Sequence, residues 1–284
     1  MNIIATDLIA QTTCPYCGVG CGVNVNKKDN KITVTGNTDH PANLGRLCVK
    51  GSSLHETLVP KNRLLTPQVN GDEVSWDQAL TFTADKFKKI IKKDGPDAVA
   101  FYVSGQLLTE DYYVANKLMK GFIGTSNIDT NSRLCMSSAV VAHKRAFGND
   151  VVPGCYEDLE EADVVIFVGS NAAYAHPIIF QRIVKAQKDS GKKIIVIDPR
   201  RTATCEVADL HLALASGTDA YFFNGLLAYL AQNNYVDQDF VDNHCDGFDS
   251  AVESALIDTA SIAQVASVCE VSEQDIQTAF EWFA

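Results

Sequence analysis

The stretch "ADVVIFVGSN" (residues 162–171) holds five consecutive apolar residues, Val164 to Val168, closed by Gly169, Ser170 and Asn171. A short apolar run with no polar alternation suits a strand covered on both faces, as in a parallel sheet. Next comes "HPIIFQRIVKAQKDSG" (176–191), an amphipathic helical pattern that ends on glycine. "KKIIVIDPR" (192–200) then repeats the buried-strand pattern. Strand, helix and strand in that order predict a right-handed βαβ unit, and with it an α/β fold with a mainly parallel sheet.

The pattern extends in both directions. "ADLHLALASGTDAYFFNGLLAYL" (208–230) reads as a short strand and a helix starting near Thr218-Asp219. Upstream, Asn70-Gly71 marks a tight turn, and Ser75 with Gln78 forms a capping box opening a helix to about Lys92. "GPDAVAFYVSG" (95–105) reads as a buried strand. Helices follow at "TEDYYVANKLMKGFIG" (109–124), with Thr109 as N-cap, and at "SSAVVAHKRAFG" (137–148), closed by Gly148.

In open α/β sheets, ligands bind beyond the carboxyl ends of the strands. Gly169, Ser170 and Asn171 stand at one such end and could lay amide donors against a phosphate. Asp198 follows the next strand, where a carboxylate can accept from a ribose hydroxyl or a base N–H. The alternative is that these are ordinary strand-end turns. No G-x-G-x-x-G fingerprint is present, so a conventional NAD site is not indicated.

Composition narrows the function. The 284 residues carry 24 Lys plus Arg against 35 Asp plus Glu, a net charge of −11 that opposes nucleic acid and anionic membranes. A small anionic substrate is still compatible with a local basic pocket. No apolar run reaches the ~18–20 residues of a membrane helix. The first residues, "MNIIATDLIAQTTC", show neither a basic n-region nor a twin arginine, so a cytoplasmic location is expected.

Nine cysteines are unevenly spread. Cys14, Cys17, Cys21 and Cys48 follow C-x2-C-x3-C-x26-C, a four-thiolate set open to structural zinc or to a [4Fe–4S] cluster. Zinc ribbons usually pair two C-x2-C knuckles, whereas three ligands in one loop and a remote fourth suit a cubane. Gly18, Gly20 and Gly22 let the backbone wrap closely there. Val23/Val25 and Ile32/Val34 alternate about a Lys27–Asn30 turn, so residues 1–62 read as a small β-rich module dependent on its metal. Cys155, Cys205, Cys245 and Cys269 match no ligand pattern and read as core filling. Cys135, in "NSRLCMSSAV" (131–140), reads locally the same way.

Taken together, "CPYCGVGC…RLCVKG", "NSRLCMSSAV", "GCYEDLEEADVVIFVGSN" and "IDPRRT…ADLHLALASGTD" resemble the catalytic subunits of the prokaryotic molybdopterin oxidoreductases, the DMSO reductase family. The resemblance covers residues 12–284. It implies a [4Fe–4S] cluster on Cys14, Cys17, Cys21 and Cys48, with residues 63–284 forming a Rossmann-like α/β molybdopterin-binding region. It also implies a Mo-bis(molybdopterin guanine dinucleotide) centre with Cys135 as the protein ligand to molybdenum. Lys50 would relay electrons between cluster and pterin. Dinucleotide contacts would fall on Gln106, Asn131, Gly169, Ser170, Asn171, Asp198, Arg200, Gly217 and Asp219.

Formate dehydrogenases of this family place His directly after the metal-binding Cys or selenocysteine; here that residue is Met136. "RLCM" resembles the nitrate reductases, and the assimilatory, cytoplasmic type is expected. The implied reaction is oxygen-atom transfer from nitrate, yielding nitrite, with electrons from a donor protein or domain. Family subunits are much longer than 284 residues, and the sequence stops within a helical pattern, so a partial chain is expected.

Overall fold

The computed structural model describes residues 7–29, 31–61 and 63–284. They form two compact units, Met1–Pro153 and Gly154–Ala284.

The first unit opens with an antiparallel three-stranded sheet, β1 (Asp7–Thr13), β2 (Gly22–Lys28) and β3 (Lys31–Gly36), in that order. Lys28 pairs with Lys31 as the hairpin expectation requires. Asn30 of the joining turn, like the first six residues, lies outside the described residues. β1 was not anticipated: its apolar Leu8 and Ile9 are consecutive and more than half exposed, so no alternation announces it. A single helical turn, α1 (Val49–Ser52), starts directly after Cys48 and leads into the 3-10 turn Leu54–Leu58.

β4 (Gln68–Val69) and β5 (Asp72–Glu73) flank Asn70 and Gly71, both at positive φ, as the Asn-Gly turn predicts. The Ser75/Gln78 capping box forms reciprocally and opens α2 (Trp76–Asp94). β6 (Phe101–Val103) is shorter and less buried than expected, with Tyr102 77% exposed. Among the described residues it pairs with β7 (Ile128–Thr130) alone, in parallel. α3 (Thr109–Asn116) has Leu108, not Thr109, as its N-cap, because the Asp111 carboxylate accepts the Leu108 N–H. It continues as a π-helical stretch, Lys117–Ile123, until Gly124 stops it in the left-handed conformation. α4 (Ser137–Phe147) ends at Gly148 as expected.

The second unit is the α/β layer that "ADVVIFVGSN" foretells. After α5 (Tyr156–Glu161) come β8 (Val164–Val168), α6 (Ala172–Ala175), α7 (Pro177–Ser190), β9 (Lys193–Ile197) and the 3-10 turn Ala203–Val207. Then β10 (Leu210–Leu212) and α8 (Asp219–Gln232) follow. The strands are parallel, in the order β10-β9-β8. α9 (Gln238–His244), α10 (Phe248–Thr259), α11 (Ile262–Cys269) and α12 (Glu273–Phe283) complete it. Two apolar clusters cover the central strand. Ile195, Ile197, Leu212 and Phe222 meet Val265, Ile276 and Phe280 in one, while Ile194 and Val196 meet Val165, Phe167 and Ile183 in the other. That alternation of β9 residues is why its apolar run is unbroken.

Cys205 and Cys269 are core residues as expected, but Cys155 and Cys245 are exposed. Both stand at helix ends, before α5 and after α9, where no second layer covers them.

Candidate functional site

The cysteine loop is built from its backbone. The Cys14 N–H donates to the Cys21 carbonyl at 2.8 Å and the Gly20 N–H to the Cys17 carbonyl at 3.2 Å, curling the three thiols into one bend. Gly20 takes a φ of +61° there, which favours glycine. Gly22 is required for space, since a Cβ on it would meet the His40 ring at about 2.5 Å. Buried Asn43 holds both polar groups of Gly22, accepting its N–H at 2.9 Å and donating to its carbonyl at 3.1 Å.

Cys14 and Cys21 are buried, Cys17 and Cys48 half-buried. Burial pushes the Cys14 thiol up, against a backbone hydrogen bond from Tyr16, and the Cys21 thiol up to about 11; like charge on Cys17 and Cys48 adds to the rise at Cys14, and on Cys14, Cys17 and Cys48 to the rise at Cys21. All four therefore share one electrostatic neighbourhood. Lys50 opposes the effect at Cys14. Its ammonium lies 5.8 Å from the centroid of the Tyr16 ring, a cation–π contact inside the loop. Four free thiols in one such neighbourhood are the donor set of a [4Fe–4S] cluster, one thiolate to each iron, so the residues fit that group.

In the same unit, the carboxyl ends of β6 and β7 bring Gln106 and Asn131 onto adjoining loops. Asn131 Oδ1 accepts the Gly105 N–H at 2.7 Å, and Ser104 Oγ accepts the Gln106 N–H at 3.2 Å. Cys135 is exposed in the turn that leads from β7 into α4, where core filling does not apply. Leu134 beside it is 91% exposed, while Met136, the N-cap of α4, is 38% exposed.

In the second unit, Gly169, Ser170, Asn171, Asp198, Arg200, Gly217 and Asp219 all fall at the carboxyl edge of the β8–β10 sheet. Gly169 and Gly217 have positive φ, and nothing lies within 4 Å of where a Cβ on either would stand, so the backbone there is open. Asp198 is buried; its Oδ1 accepts the Arg200 N–H at 2.8 Å, and its carbonyl pairs with His211 Nε2 at 2.9 Å. The edge thus offers donors and open backbone of the kind a pyrophosphate needs. Tyr16 and Thr204 were missed by sequence reasoning. Tyr16 lies between two cysteines in "CPYC", a position that could have signalled it; Thr204, in "RRTATC", carries no local signal.

The Fe4S4-domain model of the molybdopterin oxidoreductases matches residues 9–59, and the molybdopterin oxidoreductase model itself matches residues 63–275. The chain belongs to the molybdopterin oxidoreductase family. The cofactors of that family, a [4Fe–4S] cluster and a molybdopterin, are those the two segments are built for. A nitrate reductase of Klebsiella oxytoca is 57% identical over 82% of this chain and 27% of the relative. One from Shewanella frigidimarina is 51% identical over 93% of this chain and 29% of the relative. At 40% identity stand the periplasmic nitrate reductase of Desulfovibrio desulfuricans and an F420-dependent formate dehydrogenase alpha subunit of Methanococcus maripaludis. These matches cover 95% and 84% of this chain, and 38% and 35% of the relatives. Among solved structures, acetylene hydratase from Pelobacter acetylenicus superimposes with a TM-score of 0.74 at 26% identity, over 96% of this chain and 38% of that one. The chain therefore spans well under half the length of these relatives. Among the described residues, no helix is long and apolar enough to cross a membrane.

Proposed function

We propose that this chain forms the cluster-bearing and dinucleotide-binding part of a molybdenum nitrate reductase of the assimilatory, cytoplasmic type. The Cys135-Met136 pair carries this reading: a ligand-type thiol exposed at a strand-end loop, followed by an apolar thioether where formate dehydrogenases place a histidine. Reducing nitrate by oxygen-atom transfer requires no general base at that position, and Met136 supplies none. The 57% and 51% identities to nitrate reductases support the same choice.

The residues divide the work as follows. Cys14, Cys17, Cys21 and Cys48 hold the cluster, and Cys135 binds molybdenum. Lys50 sets a positive charge beside the cluster on the path electrons take. Gln106 and Asn131 in the first unit, and the strand-end residues Gly169, Ser170, Asn171, Asp198, Arg200, Gly217 and Asp219 in the second, supply contacts to pterin guanine dinucleotide. Molybdenum, when bound there, would supply the two-electron oxygen-atom-transfer chemistry that turns nitrate into nitrite. We take residues 1–62 as the iron–sulfur module and 63–284 as the molybdopterin region. A donor protein or domain feeds the cluster.

The test is to express the full-length protein and follow oxidation of reduced viologen with nitrate and with formate present. Nitrate-dependent turnover is expected, with molybdenum and iron both bound and the enzyme in the cytoplasmic fraction. Formate turnover without nitrate turnover overturns the reading in favour of a formate dehydrogenase, the alternative that the 40% identity to such a subunit supports. Iron without molybdenum would instead mark a non-catalytic scaffold subunit.

A further inference from the structure

Thr204 is fully buried, on the 3-10 turn that follows β9, and its hydroxyl makes two bonds to the loop after β8. Its Oγ1 accepts the Ala173 N–H at 3.1 Å and lies 3.1 Å from Asn171 Oδ1. The atom of Asn171 that faces the hydroxyl is its amide oxygen, which can only accept, so the Thr204 proton is donated to Asn171. A backbone N–H can only donate, so a lone pair of the same hydroxyl faces Ala173. With its oxygen engaged, Asn171 presents its NH2 group, and among the described residues no acceptor faces that nitrogen. Asn171 is half-buried, directly beside the open backbone of Gly169.

We infer that Thr204 is a positioning residue that fixes the amide of Asn171 with its NH2 donor outward, so that this strand end selects an anionic oxygen, such as that of a nucleotide pyrophosphate. The inference rests on the proposed role of Asn171 as a dinucleotide contact and deepens it. Asn171 does not serve as a generic polar group here; its hydrogen-bonding sense is set from inside the fold. A flipped amide would aim a carbonyl oxygen at a phosphate and repel it.

The test uses the full-length holoenzyme and follows the release of molybdenum, and of GMP freed by acid hydrolysis, during incubation in sub-denaturing urea. Asn171→Ala and Thr204→Val are each expected to release the cofactor roughly tenfold faster, the weight of one hydrogen bond to a charged acceptor. Thr204→Ser, which keeps the hydroxyl, should release it at close to the unmodified rate. Asn171→Asp should release it at least as fast as Asn171→Ala, since a carboxylate faces the anion. If Asn171→Ala is fast while folded Thr204→Val matches the unmodified enzyme, the inference is overturned and the dinucleotide contact stands. If Asn171→Ala itself has no effect, the contact is lost as a reading and the inference with it. Should Thr204→Val fail to fold, Asn171→Asp decides: release at the unmodified rate overturns a donor-outward amide.

Discussion

Asn131 Oδ1 accepts the Gly105 N–H at 2.7 Å, joining the loop after β6 to the loop that carries Cys135. The contact has no room to spare. A Cβ on Gly105 would stand 2.5 Å from Ser132 Oγ and 2.8 Å from Asn131 Oδ1. Ser132 can rotate away, but Asn131 cannot without losing the bond. Asn131→Ala is expected to speed amide hydrogen exchange at Gly105 about fivefold or more, the weight of one neutral hydrogen bond. Gly105→Ala should produce the same effect by steric means. Unchanged exchange in both variants would mean that the two loops are held by other contacts.

Arg182 is the most enclosed cation of the second unit, 2% exposed on α7. It donates to both oxygens of Glu160, at 2.6 and 2.8 Å, and to Glu157 at 3.0 Å, and it covers the Tyr156 ring. Arg182→Met is expected to cost about 3 kcal/mol in urea unfolding, since it removes the buried cation that two carboxylates face. The Glu157 carboxyl is held below the ordinary carboxylate range, first by its own backbone N–H and then by Arg182. A depressed carboxylate adds stability above its unfolded pKa and loses it as pH falls through the folded value. Acid titration of the unmodified protein should therefore show a loss below the usual carboxylate range that is smaller in Arg182→Met.

The sequence made some of this architecture plain and hid the rest for identifiable reasons. Ser75 with Gln78, Asn70 with Gly71, and Gly148 act within a few residues, so their local chemistry is visible in the order of the chain. β8 and β9 were legible because burial on both faces leaves an unbroken apolar run. β6 was legible as a strand, though its burial was not, while β1 and β7 carry little burial and nothing in their residues separates them from loop. The spacing of Cys14, Cys17, Cys21 and Cys48 stands in the chain itself, and the fold brings these thiols into one electrostatic neighbourhood. Thr204 and Asn171 are 33 residues apart, and their bond exists only because β8 and β9 are parallel neighbours.

Removing iron tests how much the first sheet owes to its cluster. Among the described residues of β1–β3 and the cysteine loop, Val23 is the one large aliphatic side chain that is fully buried; Cys14 and Cys21 make up most of the remaining apolar interior. A sheet with so little core depends on its metal. Chelation after oxidative loss of the cluster should increase hydrogen exchange throughout residues 7–36 and leave β8–β10 unchanged. Protection that persists in β1–β3 would show that the sheet stands without the cluster.

Gly225 stands where α8 meets α11 most closely. A Cβ there would lie 2.3 Å from Val265 Cγ2 and 3.4 Å from Phe280 Cζ, both of them fully buried residues. Alanine is the better helix former by roughly 1 kcal/mol, so an open site would be stabilised by Gly225→Ala. Here neither Val265 nor Phe280 has space to retreat, and overpacking of this kind costs about 1–3 kcal/mol. The steric term is the larger, and Gly225→Ala is expected to lower the urea midpoint. Val265→Ala alone opens a cavity and lowers it as well. In the double variant the new methyl fills part of that cavity and the helix gains its better former. The two losses should then fall short of additive by on the order of 1 kcal/mol in a double-mutant cycle. Strict additivity would mean that α8 and α11 can slide apart without cost, and that the close approach is not what Gly225 is there to permit.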